Sequence, residues 1–133
     1  MRKTITVIDT NIVMDDANIL NNIESDLVVI PFAVIEELDN HKKDRGRVGA
    51  NTRHFIRLLD SLISAGNILT GVKHGKTTVK VQQWTASHDA ALKSYALTDI
   101  PDHRILVTAA TLVPAATLLT NDVALRVKAL AIK

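Results

Sequence analysis

Asp9, Glu37, Asp102 and Asp122 each stand where an apolar run hands over to a helix-forming segment. Asp9 closes Ile5-Thr6-Val7-Ile8, and Glu37 lies just past Leu27-Val28-Val29-Ile30-Pro31. Asp102 follows Pro101 ahead of an apolar helix, and Asp122 follows Ala116-Thr117-Leu118-Leu119-Thr120. In an open parallel sheet the carboxyl ends of the strands share one edge, and ligands bind there. Four carboxylates in one crevice repel one another unless a divalent cation neutralises them. The chemistry this predicts is metal-dependent work on phosphates.

Each acid also has an ordinary explanation. Asp and Asn are favoured helix N-caps, so Asp9 or Asn11, Asp102, and Asn121 or Asp122 could simply satisfy free helix N–H groups. The set is harder to dismiss than its members, because all four fall on one predicted edge. Helix geometry chooses Glu37 over its neighbour Glu36. From the centre of the stripe Val34, Ile35, Leu38, Glu37 lies roughly 105° around the helix and Glu36 roughly 150°. Glu37 therefore flanks the buried face.

The elements that must position these acids are legible as apolar runs. Residues 4–9 and Leu27–Ile30 read as buried strands, the second ended by Pro31. Short helical turns are expected within 11–24, a helix over Phe32–Lys43, a break at Gly46, and a longer helix over Val48–Ala65 stopped by Gly66. Thr77–Val81, with Ile68-Leu69 before it and His74-Gly75-Lys76 between, suggests a hairpin or a strand preceded by a loop. A short helix is expected over Ala90–Ala96, another from Pro101 to about Leu112, a strand over Ala115–Leu119 and a final helix over Asp122–Leu130. Strands alternating with helices predict an α/β fold with a mainly parallel sheet, and 133 residues suit one domain, 1–133.

Composition narrows the chemistry further. With no cysteine, thiolate nucleophiles, thiolate metal sites and disulfides are excluded. The five histidines, His41, His54, His74, His88 and His103, show no zinc spacing; His103, next to Asp102, could touch substrate but reads better as a surface residue. A serine-nucleophile elbow and a Gly-rich phosphate loop are both missing from the sequence. Net charge is only +2, but Lys42, Lys43, Arg45, Arg47, Arg53 and Arg57 crowd one region, which suits a polyanion as well as a solvated helix face. Trp84 and Tyr95 could stack on bases, but core or rim packing is the favoured reading in a chain that is 3% aromatic. The apolar stretch after Met1-Arg2-Lys3 ends at Asp9, too short for a signal peptide, and no run approaches membrane-spanning length, so a cytoplasmic protein with no membrane partner is expected.

At these residues the chain resembles the PIN-domain nucleases, specifically the PIN domains found in front of PhoH-like ATPases. The matching blocks are Val7-Ile8-Asp9-Thr10-Asn11-Ile12, Val29-Ile30-Pro31 through Ile35-Glu36-Glu37-Leu38-Asp39, Gly46-Arg47-Val48-Gly49-Ala50-Asn51-Thr52-Arg53, Asp102-His103-Arg104-Ile105-Leu106, and Leu119-Thr120-Asn121-Asp122 running on to Ala129. The Gly46–Arg53 block and the Leu-Arg-x-Lys-Ala ending favour the PhoH-like branch over short VapC-type toxins. The resemblance implies a three-layer α/β/α sandwich and Mg²⁺- or Mn²⁺-dependent cleavage of single-stranded RNA. Its acidic positions fall on Asp9, Glu37, Asp102 and Asp122, and its polar helpers on Asn11, Thr120 and Asn121. The expected partners are single-stranded RNA, a second copy of the chain, and a PhoH-like ATPase domain or an antitoxin-like inhibitor. Relatives run on beyond Ala131-Ile132-Lys133, which implies either a trimmed fragment or a stand-alone form.

One metal would be held by Asp9 with Asp102 or Asp122, a second would stabilise the leaving oxygen, and Glu37 would ligate a metal or orient the water. Asn11 would fix Asp9 by a hydrogen bond. Lys42, Lys43, Arg45 and Arg47 would hold RNA phosphates. Two other readings compete. A non-catalytic RNA-binding or assembly module would not need all four acids. A phosphoryl-accepting receiver domain would need an aspartate after Thr77–Gln83, where there is none.

Overall fold

A computed structural model describes residues 3–113 and 115–132; Met1, Arg2, Pro114 and Lys133 lie outside the described residues. The chain runs β1 (Ile5–Ile8), α1 (Thr10–Asp15), α2 (Ile19–Asn22), β2 (Leu27–Pro31), α3 (Phe32–His41), α4 (Gly46–Ala65), β3 (Val72–His74), β4 (Thr77–Gln82), α5 (Ala86–Ser94), α6 (Pro101–Ala110), β5 (Thr117–Leu119) and α7 (Val123–Ala131). The sheet order is β3-β4-β2-β1-β5. Every pairing is parallel except the hairpin of β3 with β4.

Burial along the strands establishes the layers. Side chains alternate between the faces of a strand, so a strand buried at consecutive positions is covered on both sides. Val28, Val29 and Ile30 are all 0% exposed, as are Val7 and Ile8. Helices therefore cover both faces of the central strands, giving the α/β/α sandwich. β4 behaves differently: Thr77, Val79 and Val81 are buried while Thr78, Lys80 and Gln82 are partly exposed, so only one of its faces is covered. From β1 the chain crosses to β2 on one side, while β5 docks on the other, with Val7 opposite both Val29 and Leu118. The order reverses at β1, the switch point where ligands bind in open α/β sheets.

Several boundaries differ from the sequence expectations. The long helix begins at Gly46, two residues early; Gly46 takes φ +80 and so turns the chain into α4. Ile68-Leu69 lie in a turn, and the hairpin closes at Gly75-Lys76 with Gly75 at φ +63. α5 starts four residues before the expected Ala90, because the Thr85 N–H donates to His88 Nδ1 at 3.0 Å. A histidine there does what Glu or Gln does in the familiar capping box. The buried face of α3 is Ala33, Val34 and Leu38, with Ile35 only partly buried; Glu36 is exposed and Glu37 half-buried.

The Gly46–Arg53 block builds the α3–α4 corner. A Cβ added at Gly49 would stand 1.7 Å from the Asp44 carbonyl oxygen. Arg53 Nη1 donates to the carbonyls of Lys42 and Asp44, both at 3.0 Å, and Asn51 Nδ2 donates to Met14 O at 2.7 Å. Gly49→Ala must therefore displace backbone, with a cost at or above the roughly 1–3 kcal/mol typical of overpacking. Urea denaturation should show a clearly lowered midpoint; an unchanged midpoint would mean that this corner yields freely.

Candidate active site

Asp9 is the first residue past β1 and is 2% exposed. Its Oδ1 accepts the Thr10 N–H at 2.7 Å and caps α1. Its Oδ2 accepts the Thr120 hydroxyl at 2.6 Å, across 111 residues of sequence. The same Thr120 oxygen accepts the Asp122 N–H at 3.0 Å, and Asp122 Oδ1 accepts the Leu125 N–H at 3.2 Å, capping α7. On the other side Thr10 Oγ1 donates to Glu37 Oε1 at 2.6 Å. The Thr120 hydroxyl, with the hydroxyl and backbone N–H of Thr10, thus links Glu37, Asp9 and Asp122 into one network. Asp102 enters from the first turn of α6.

The capping explanation and the cluster hold together: Asp9 and Asp122 are N-caps and also face the other acids. The positive ends of α1, α6 and α7 each support one carboxylate. That support is incomplete. Burial, and then the charges of Asp102 and Asp9, push the Glu37 carboxyl above its ordinary value. Burial, and then Asp9 and Asp122, do the same to Asp102. Among the described residues no three or more His, Asp or Glu side chains are grouped closely enough to hold a metal ion as they stand. Glu37 and Asp102 each feel two of the other acids: Asp102 and Asp9 act on Glu37, and Asp9 and Asp122 act on Asp102.

The polar helpers divide. Thr120 donates to Asp9 as its position suggested. Asn11 is exposed, and the hydrogen bonds to Asp9 come from Thr10 and Thr120. The reason is that Asn11 already lies inside α1, where its side chain turns away from the cap. Asn121 Nδ2 reaches Asp15 Oδ2 at 3.1 Å, and Arg47 Nη2 donates to Asp15 O at 3.0 Å. Arg47 is therefore attached to the rim next to Asp122. Lys42 pairs with Asp39 at 2.7 Å, whereas Lys43 and Arg45 are exposed with no side-chain partner among the described residues.

His103 is not a surface residue. It is 6% exposed, with Nδ1 2.7 Å from Thr98 O and Nε2 2.9 Å from Lys128 Nζ. A carbonyl can only accept, so Nδ1 carries the proton and Nε2 accepts from the ammonium. The pair fixes Lys128 where its charge favours ionised Asp102. Sequence reasoning passed over Thr10, Lys128 and the true role of His103. The available signals were a hydroxyl between Asp9 and Asn11, and a lysine two turns past Asp122 on the same helix.

Acidic residues at the switch point of an α/β/α sandwich stand where open α/β sheets bind their ligands. The profile of the PIN-domain family matches residues 6–133, nearly the full chain, and the chain belongs to that family. PIN domains are typically nucleases and usually bind divalent metals. The chain is also 41% identical to Protein PhoH2 of Bacillus subtilis (strain 168) over 64 residues, 48% of this chain and 14% of that protein. The match therefore spans about a seventh of the relative's length. Among the described residues no helix is long and apolar enough to cross a membrane.

The raised carboxyls make a prediction with a definite sign. Glu37 and Asp102 hold their protons longer folded than unfolded, so their ionisation opposes folding. Their penalty is absent below the ordinary values of 4.5 and 3.8 and grows as pH rises through the raised folded values. Asp102→Asn is the cleaner substitution, since Asp9 holds two structural hydrogen bonds. Without metal at pH 7 the Asp102→Asn protein should melt above the wild type, and the gap should close as pH falls below 3.8. Mn²⁺ should raise the wild-type Tm more than that of the variant. A gap that persists in acid would assign the effect to something other than charge.

Proposed function

We propose that this PIN domain is a Mg²⁺- or Mn²⁺-dependent endoribonuclease that hydrolyses phosphodiester bonds of single-stranded RNA. The observation that carries the reading is the gathering of Asp9, Glu37, Asp102 and Asp122 at one sheet edge, with ionisation of Glu37 and Asp102 opposed by burial and by the other acids. The donor set fits a hard cation: every donor is a carboxylate oxygen, and each Asp9 oxygen, having accepted one hydrogen bond, keeps a lone pair. Asp9 would hold metal with Asp102 or Asp122, and bound Mg²⁺ or Mn²⁺ would supply positive charge and a more acidic water.

The chain's own groups do the rest. Glu37, with one oxygen on Thr10, keeps the other for a metal or for the hydrogen of the attacking water. Thr120 and Thr10 hold the carboxylates in register. Lys128 has two N–H donors left after His103 and would meet a phosphate oxygen at the mouth of the site. Lys43 and Arg45 would bind RNA phosphates directly. Lys42 would exchange its exposed Asp39 partner for one, since such a pair is worth little. Arg47 would guide the strand at the rim. The domain 1–133 would act in the cytoplasm, self-associated or joined to a PhoH-like ATPase domain or an antitoxin-like inhibitor.

The decisive measurement is cleavage of a labelled single-stranded RNA in Mn²⁺. Asp102→Asn should lower the rate by orders of magnitude while RNA binding survives, and Asp9→Asn, which also loses a structural hydrogen bond, should lower it at least as far. Undiminished cleavage by both would place the chemistry elsewhere. A wild type that binds RNA but cuts nothing in either metal would make the domain an RNA-binding or assembly module.

A separate experiment addresses the basic segment. Replacing Lys43 and Arg45 with Ala should reduce the slope of log K against log salt by roughly 1.4, about 0.7 for each phosphate contact on a single strand. An unchanged slope would return these residues to ordinary solvation.

A further inference from the structure

Beside the acid site, between α3 and the start of α6, lies a cleft of about 350 Å³. Glu37 is common to both: it lines the cleft and accepts from Thr10 in the acid network. The other polar linings are Glu36, Asn40, Asp99 and Arg104, over an apolar surface of Ala33, Ile100 and Pro101. Ile100 is 40% exposed there.

One wall of the cleft is flat and braced. Arg104 forks onto Asp99, Nε to Oδ1 at 2.7 Å and Nη2 to Oδ2 at 2.8 Å. Its guanidinium carbon sits 4.6 Å from the centroid of Trp84, which stacks in turn on His88 at 5.1 Å. Trp84 is pinned by its Nε1–H to Asp89 Oδ1 at 2.7 Å. Trp84 thus carries both the Arg104 cation and the His88 ring, and Asp99 has both oxygens occupied. Glu36 differs: it is exposed and takes no hydrogen bond from any described residue, so both its oxygens are available.

We propose that this cleft is the base-recognition subsite of the nuclease and selects guanine in the nucleotide flanking the scissile phosphate. The inference rests on reading the acid site as an RNA cleft. Single-stranded RNA is read on the Watson–Crick edges of bases splayed out of their stack. Guanine presents N1–H and N2–H₂ side by side, which matches the two acceptor oxygens of Glu36. Uracil presents one N–H between two carbonyls, and those carbonyls would face a carboxylate. Adenine and cytosine offer one amino group beside an unprotonated ring nitrogen. The flat surface by Arg104 and Ile100 would carry the base's faces, and Asn40 can meet the guanine O6 with its amide N–H₂.

The test separates the subsite from the nuclease reading by using uncharged nucleosides on the metal-free protein, where the acids repel no phosphate. In ¹⁵N-resolved NMR titrations, guanosine should shift the Asn40 side-chain amide, the Arg104 Nε–H and the indole signal of Trp84, the chain's sole tryptophan. It should bind roughly tenfold or more tightly than uridine, the discrimination expected of a bidentate base contact. E36Q should bring the two nucleosides within about twofold while leaving the rest of the spectrum in place. In parallel, wild-type and E36Q cleavage of a random-sequence RNA should be mapped, with guanine enriched beside the cut only in the wild type. Equal responses to all four nucleosides, no response, or discrimination unchanged in E36Q would each overturn the subsite. RNA cleavage with no base preference would overturn it and leave the nuclease reading intact. Guanosine selectivity that depends on Glu36 in a protein that cuts no RNA would keep the recognition site and remove the nuclease.

Discussion

The structure depends on one buried charge. Asp9 is carried to the switch point by β1 and is almost sealed from water, which costs several kcal/mol for an ionised carboxylate without partners. Two hydrogen bonds offset that cost, and each fixes a different part of the fold. The Thr10 N–H makes Asp9 the start of α1. The Thr120 hydroxyl makes it the point where the end of the chain is fastened to its beginning. β5 is a three-residue edge strand, and the Thr120–Asp9 bond extends the ladder that pairs it with β1 and the Asp9 N–H to Leu119 O bond at 3.0 Å. Remove the carboxylate and the last strand loses one tie to β1 and the site its first member.

The remaining acids are admitted by the same local economy. Asp122 caps α7 and Asp102 lies in the first turn of α6, each at the positive end of a helix. Glu37 sits mid-helix with no such support, and its ionisation is the one helped by a hydroxyl, that of Thr10. Lys128 contributes positive charge from outside, steadied by a histidine whose other nitrogen is committed to a carbonyl. The fold therefore leaves the ionisation of Glu37 and Asp102 opposed by burial and by neighbouring acids. A cation held there, as proposed, would relieve that opposition.

How much of this was legible in the sequence follows from how locally each feature is encoded. The buried strands showed as β-branched runs because they are covered on both faces and need no alternation. The choice of Glu37 over Glu36 followed from helical geometry, although the buried stripe is centred nearer Ala33 than Ile35. Asn11 and Thr10 could not be separated, since one residue of register decides which side chain turns inward. His103 was misplaced because its burial depends on α7 closing over α6, a contact with a residue 25 positions away. The start of α5 was hidden because its cap uses His88 in a role the usual motif gives to Glu or Gln.

The basic segment shows why residue type alone could not assign roles. Within a dozen residues, Arg53 ties down two carbonyls, Arg47 ties down a third, Lys42 faces an aspartate, and Lys43 and Arg45 face water. A guanidinium has five N–H donors in a fixed fork and suits the closing of a corner around Gly49, where no side chain can enter. The corner in turn sets the α1 end against α4 through Asn51 and Arg47. Asp15 then carries that placement to Asn121, next to Asp122. The arginines that look most like ligands for a polyanion are thus partly the struts that hold the acidic edge in shape. Binding and architecture are shared out among neighbours of the same charge.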